Sequence, residues 1–134
     1  MRRKIATGLL CAAAFAGSIV APGVAYAGTS SAAATTCYAE AVKPFYSNGT
    51  VYATGHAYCS PWADVEITVT ITADGAFEGD TDTGVIATPH ISDTAAAPNR
   101  SGNQKWCTRV DGKYYTGGKT YIISDSECEY SKAF

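Results

Sequence analysis

The chain has 134 residues, 46% of them hydrophobic and 16% charged, which is enough for one small domain and too little for a multidomain enzyme. Five cysteines, nine tyrosines and thirteen glycines depart from the Leu-, Glu- and Lys-rich make-up of a helical bundle, and a formal charge of -2 excludes the basic surface of a nucleic-acid binder. A small β protein is what remains.

Residues 1–27 read as a cleaved secretory signal, with Arg2, Arg3 and Lys4 as a charged start, an apolar run over 5–20, and Ala25, Tyr26 and Ala27 at the cleavage point. Thr7, Gly8, Gly17 and Ser18 interrupt the run and Pro22 and Gly23 follow it, which argues against a membrane anchor. Cys11 sits inside the run after Leu9 and Leu10, not in the small-residue setting of a lipidated cysteine, and Arg2-Arg3 lacks the flanks of a twin-arginine signal. Secretion is therefore expected, without membrane attachment afterwards. The mature part keeps seven basic residues against twelve acidic ones.

It also keeps four cysteines: Cys37, Cys59, Cys107 and Cys128. An even number in a short exported chain, with no Cys-x-x-Cys pair, points to two disulfides in an oxidising compartment. A domain this small has a marginal core, so the bridges matter for stability. Residues 28–36 are small and aperiodic and read as a flexible leader; residues 37–134 are the domain.

Residues 37–59 form an expected hairpin around Ser47-Asn48-Gly49, with Tyr, Val and Thr on both sides. A three-residue loop with Gly49 left-handed pairs Tyr46 with Thr50 and brings Cys37 opposite Cys59. The same register sets Tyr38 against Tyr58, Glu40 against His56 and Pro44 against Tyr52 on one face, with Ala39, Ala41, Gly55 and Ala57 on the other. In 64–72, Val65, Ile67, Val69 and Ile71 alternate with Glu66, Thr68, Thr70 and Thr72, the pattern of a strand with one buried face. Asp74-Gly75 turns it, Ala76, Phe77 and Glu78 return, and 79–84 is a loop. Residues 85–92 are expected as an edge or bulged strand because of Pro89, and 95–103 as a long loop.

The last hairpin turns at Gly117-Gly118, which pairs Thr116 with Lys119 and carries Cys107 opposite Cys128. Bridged cysteines need neighbouring α-carbons, so Cys37 with Cys59 and Cys107 with Cys128 is the preferred connectivity of the three that four cysteines allow. Asp111-Gly112 is a rival turn. In the first register Arg109, Asp111 and Lys113 share the cysteine face while Val110, Tyr114, Tyr121 and Ile123 face the other way, which places the second bridge outside. Six or seven short strands and no amphipathic helix imply an all-β, two-sheet antiparallel sandwich, Ig-like or Greek-key, with a partly open barrel as the second architecture.

Catalysis has little material. His56 and His90 are the two histidines, neither in a nucleophile or metal motif, and no thiol or Gly-x-Ser-x-Gly is left for attack. Glu40 with His56 is either an acid-base couple or an ordinary cross-strand polar pair. Asp80-Thr81-Asp82-Thr83-Gly84 resembles a fragment of a calcium loop without its later bidentate Glu, and a solvated turn is the simpler reading. The expectation is a protein with no catalytic residues, cofactor or metal. Residues 64–93 hold seven acids and no base, and 100–119 hold five bases and one acid, which gives either a dipolar surface or two faces that offset each other.

Trp62, Phe77 and Trp106 are expected in the core. Eight of the tyrosines lie in the domain, too many to bury with every hydroxyl satisfied, so several reach solvent. Tyr38, Tyr52, Tyr58, Tyr114 and Tyr121 form the candidate binding surface, since exposed tyrosine on a rigid sheet gives contact area at low entropic cost to a protein or a sugar ring.

The Ala, Thr and Ser richness, the Arg2-Arg3-Lys4 signal and the two-disulfide β body resemble small exported proteins of Streptomyces and related actinomycetes. Within that group the architecture is similar to the adaptor subunits of umbrella toxin particles, which link a lectin subunit to a stalk-bearing toxin. That resemblance implies a non-enzymatic adaptor in a secreted complex, with a protein partner engaged at the leader and a free sheet edge. Two alternatives stand beside it. One is a small inhibitor of a secreted hydrolase: the amylase inhibitors share four cysteines and a sandwich but present a Trp-Arg-Tyr that is absent here, and the subtilisin-inhibitor family resembles this chain in Glu127-Cys128-Glu129 and Ala133-Phe134. The other is a carbohydrate-binding module with a glycan as ligand.

Overall fold

The computed structural model describes residues 33–131; the signal segment, most of the leader and the C-terminal Ala133-Phe134 lie outside the described residues. Seven strands follow one another there: β1 (Thr36–Ala41), β2 (Phe45–Ser47), β3 (Thr50–Ala73), β4 (Ala76–Asp82), β5 (Ile86–Pro98), β6 (Lys105–Thr116) and β7 (Lys119–Tyr130). The protein is all-β, and every pairing is antiparallel.

The 24-residue β3 organises everything else. Its first half pairs with β1 and β2 along one edge and with β5 along the other, while its second half pairs with β6 on one edge and with β4 and the start of β5 on the other. The two halves meet at residues 59–62, where the β3–β5 register jumps from Tyr58↔His90 to Ala63↔Thr88 across Pro89. Pro89 has no N–H to give to a ladder, which fits its place in the irregular stretch.

Odd-numbered residues of β3 are buried on both sides of the irregularity, from Val51 to Cys59 and from Ala63 to Ala73. A sheet whose two halves bury the same face must fold over onto that face. It does so here, since a Cβ added to Gly55 in the first half would lie 2.8 Å from Val69 of the second half and 2.3 Å from Val110 of β6. The result is two facing layers, as the expected sandwich has, joined through β3 into one hydrogen-bonded ladder. Ala53, Gly55, Ala57, Ala95 and Ala97 keep the first layer thin, and Ile67, Val69, Ile71, Val110 and Trp106 from the second fill the space. Small residues opposite large ones bring the layers to close packing.

Both hairpins carry the expected bridges, Cys37–Cys59 and Cys107–Cys128, each with α-carbons 4.1 Å apart. Cys59 belongs to the core and Cys107 faces outward, because Cys107 alternates with the buried Trp106 and Thr108. The Gly117-Gly118 turn and its Thr116↔Lys119 pairing are as the sequence implies, and Asp111 and Gly112 run on inside β6.

Several expectations change. Near the first turn Ser47 pairs with Thr50, not Tyr46 with Thr50, because Asn48 (φ 48°) and Gly49 (φ 82°) are both left-handed and close a two-residue turn. The one-residue difference is absorbed between β1 and β2, so Phe45 instead of Pro44 lies opposite Tyr52. Residues 95–98 continue β5 because Ala95 and Ala97 are buried against β3, where the sequence suggested a loop. Of the three expected core aromatics, Trp106 is fully buried, but Trp62 at the bend is 58% exposed and Phe77 beside the β3–β4 turn is 65% exposed.

Candidate interaction face

Even-numbered positions of β3 point away from the core, and in its first half they line up with neighbours from β1, β2 and β5 in four rows. The outermost row is Tyr38–Tyr58–His90, with ring centroids 5.3 Å and 4.6 Å apart and the rings stacked face to face. Next is Glu40–His56–Ser92. Then Thr54 meets Thr94 through their hydroxyls at 2.9 Å. The last row stacks Phe45 on Tyr52 at 5.2 Å. Neighbouring strands lie close to one ring thickness plus contact distance apart, so aromatic residues in register on one face stack as a ladder.

Tyr58 is enclosed by Tyr38 on one side and His90 on the other, and its phenol is pushed above the usual tyrosine value, first by desolvation and then by the adjacent Glu40 carboxylate. Glu40 and His56 are register partners whose side chains take other neighbours: Glu40 turns to Tyr58, while the His56 Nδ1 lies 3.3 Å from His90 Nε2. The imidazole pair joins residues 34 apart in sequence, and no motif announces it. The β3–β5 register creates it by placing His90 opposite Tyr58, one row from His56.

The five candidate tyrosines divide between two places. Tyr38, Tyr52 and Tyr58 share the outer face just described. Tyr114 shares the inner side of β6 with Trp106 and Val110, is only 7% exposed, and stacks on Tyr121 of β7 at 5.0 Å. Parity along β6 decides this, and it removes Tyr114 from the exposed surface. The face gains His56, His90 and Phe45.

Two ion pairs, Lys113 with Glu66 and Arg100 with Glu78, link the acidic and basic stretches. Tyr115 donates to Glu66 at 2.8 Å, Lys113 approaches the same carboxylate at 3.8 Å, Arg109 pairs with Asp111, and Arg100 pairs with Glu78. The hydrogen bond to Glu66, its desolvation and its charge together raise the Tyr115 phenol. A groove of about 410 Å³ crosses the outer side of the second layer, lined among others by Glu66, Asp82, Asp111, Lys113 and the exposed Ile122. Asp80 and Asp82 lie in β4, paired with Thr70 and Thr68, instead of in the loop the sequence suggested; Asp82 accepts the Thr68 hydroxyl. The following Thr83 ties the chain to β3 by accepting from Ile67 N–H at 3.1 Å.

No family model matches the chain, and no curated protein does. Among solved structures it is similar to the solution structure of R. palustris CsgH, at 14% identity and a TM-score of 0.41, over 68% of this chain and 90% of that one.

Proposed function

We propose that the chain is an exported, non-enzymatic protein–protein interaction module that docks its partner on the outer face of β1, β2, the first half of β3 and β5. The observation that carries this is the ladder of stacked aromatic rings at the two ends of that face, with hydroxyl and imidazole groups between them. A partner meets a surface already ordered by the sheet and its bridge, so little entropy remains to be lost on docking. Both sides of Tyr58 are covered in the stack, which closes that ring to a stacking sugar. Two disulfides suit an oxidising location outside the cytoplasm. The place as an adaptor in a secreted toxin complex rests on the resemblance in composition and architecture to actinomycete exported proteins.

The test is affinity purification of the tagged chain from culture supernatant, followed by mass spectrometry, with the wild type and a Tyr38→Ser/Tyr52→Ser variant side by side. Stoichiometric recovery of large secreted subunits with the wild type, reduced with the variant, is expected. Recovery of monomer together with tight inhibition of an amylase or protease would replace the adaptor with an inhibitor, and glycan-array binding by the isolated chain would replace it with a sugar binder.

A further inference from the structure

We infer that His56 and His90 form a chelating pair for a borderline divalent transition-metal ion such as Zn²⁺ or Cu²⁺, held on the outer face between β3 and β5. The two imidazoles come from adjacent strands, and their nearest nitrogens, Nδ1 of His56 and Nε2 of His90, are 3.3 Å apart. Their centroids are 5.4 Å apart, so these nitrogens lie between the rings and face each other. Two nitrogens bound to one tetrahedral zinc at its usual bond length sit about 3.3–3.4 Å apart, which is the spacing already present.

The surroundings suit a cation. His90 is held by its stack on Tyr58 at 4.6 Å, and its strand is braced locally by Thr88, whose hydroxyl donates to the His90 carbonyl at 2.8 Å. No lysine or arginine occupies the four rows of this face among the described residues, and the Glu40 carboxylate lies opposite His56. Without metal, the facing nitrogens share one proton in an N–H···N contact. For an ion to bind, the donating ring must place its proton on its outer nitrogen, so that both inner lone pairs point at the metal; with both rings neutral, no net proton is released.

Among the described residues no group of three or more His, Cys, Asp or Glu side chains is placed to enclose an ion. The protein therefore supplies two nitrogens, and water fills the remaining positions, which stay open on the exposed side. Affinity then follows the general order in which Cu²⁺ exceeds Zn²⁺.

The experiment is titration of the chelator-treated, disulfide-intact secreted chain with Zn²⁺ and with Cu²⁺, followed by calorimetry and by the NMR signals of the two imidazoles. His56→Phe and His90→Phe keep a flat ring in the ladder and remove the nitrogens. Expected are one ion per chain, shifts of both imidazoles together, and weakening in either single variant by at least the ten- to hundredfold that loss of an outer-shell partner costs a metal site. Wild-type affinity no greater than that of the double variant would overturn the inference and leave the pair as a hydrogen bond only. Undiminished one-to-one binding in the double variant would overturn it equally, by placing the ion elsewhere.

Discussion

Gly55→Ala tests the central feature of the architecture, the folding of β3 onto its own face. The added methyl carbon would lie 2.3 Å from Val110 Cγ2, 2.8 Å from Val69 Cγ2 and 3.3 Å from Val110 Cγ1. Carbon atoms rest at about 3.5–4.0 Å, so the layers must give by roughly 1 Å. Valine has one preferred χ1 and no long arm to swing aside, so the displacement falls on the backbone. Overpacking of this kind costs about 1–3 kcal/mol. The upper part of that range applies because two valines are struck, and about 0.5–1 kcal/mol is returned by the lower entropy of alanine in the unfolded chain. The net loss of about 2 kcal/mol lowers the melting temperature by roughly 8–16 °C for a domain this size. Urea unfolding with disulfides intact reads it directly. Val110→Ala alone opens a cavity and destabilises, but in the Gly55→Ala background it makes room, so the double variant is more stable than the sum of the singles by about 1–2 kcal/mol. A Gly55→Ala protein within about 0.5 kcal/mol of wild type, or strictly additive singles, would refute the face-to-face packing of the layers.

Three further outcomes are expected. Thr108 is fully buried and its hydroxyl has no hydrogen-bond partner among the described residues, so Thr108→Val, which keeps the shape and removes the unsatisfied group, raises stability by about 1 kcal/mol in urea unfolding; a loss would mean the hydroxyl is satisfied. Replacing either cysteine pair by alanine removes a covalent closure spanning 22 or 21 residues and costs about 3 kcal/mol by the chain-entropy account, with Cys37/Cys59 the costlier pair because Cys59 also packs in the core; equal stability of the reduced and oxidised proteins would contradict this. The phenols of Tyr58 and Tyr115 are raised in the folded state, so the unfolded chain loses these protons first as pH rises. Their contribution is complete below about pH 10 and is lost as pH climbs through the folded values, and the Tyr58→Phe/Tyr115→Phe variant shows a shallower fall of the urea midpoint between about pH 9 and 11; an identical fall in both proteins would exclude the two tyrosines as its source.

Local pattern made some of this legible. The alternation of Val65, Ile67, Val69 and Ile71 fixes the buried face of the second half of β3, and the Gly117-Gly118 turn sets the register that carries Cys107 to Cys128, whereas Cys37 meets Cys59 through a one-residue shift between β1 and β2 that the Asn48-Gly49 turn does not dictate. The aromatic Tyr38–Tyr58 contact and the Glu40–His56 cross-strand pairing follow from the same register. Trp62 and Phe77 illustrate the limit of that reasoning. Large aromatics favour burial, but Trp62 lies where β3 bends and Phe77 beside the tight turn after β3, so neither reaches the space between the layers.

The sequence by itself determined the class, the two bridges and the small inner face of the first hairpin, since each depends on residues close along the chain or on a single turn. Only the tertiary structure decided that β3 runs unbroken through both layers, that Tyr114 turns inward while Tyr58 stays in the outer ladder, and that His56 meets His90. Those outcomes depend on which strands become neighbours. That choice is made by burying the odd face of β3 against itself, a long-range gain that has no signature in any short stretch of residues.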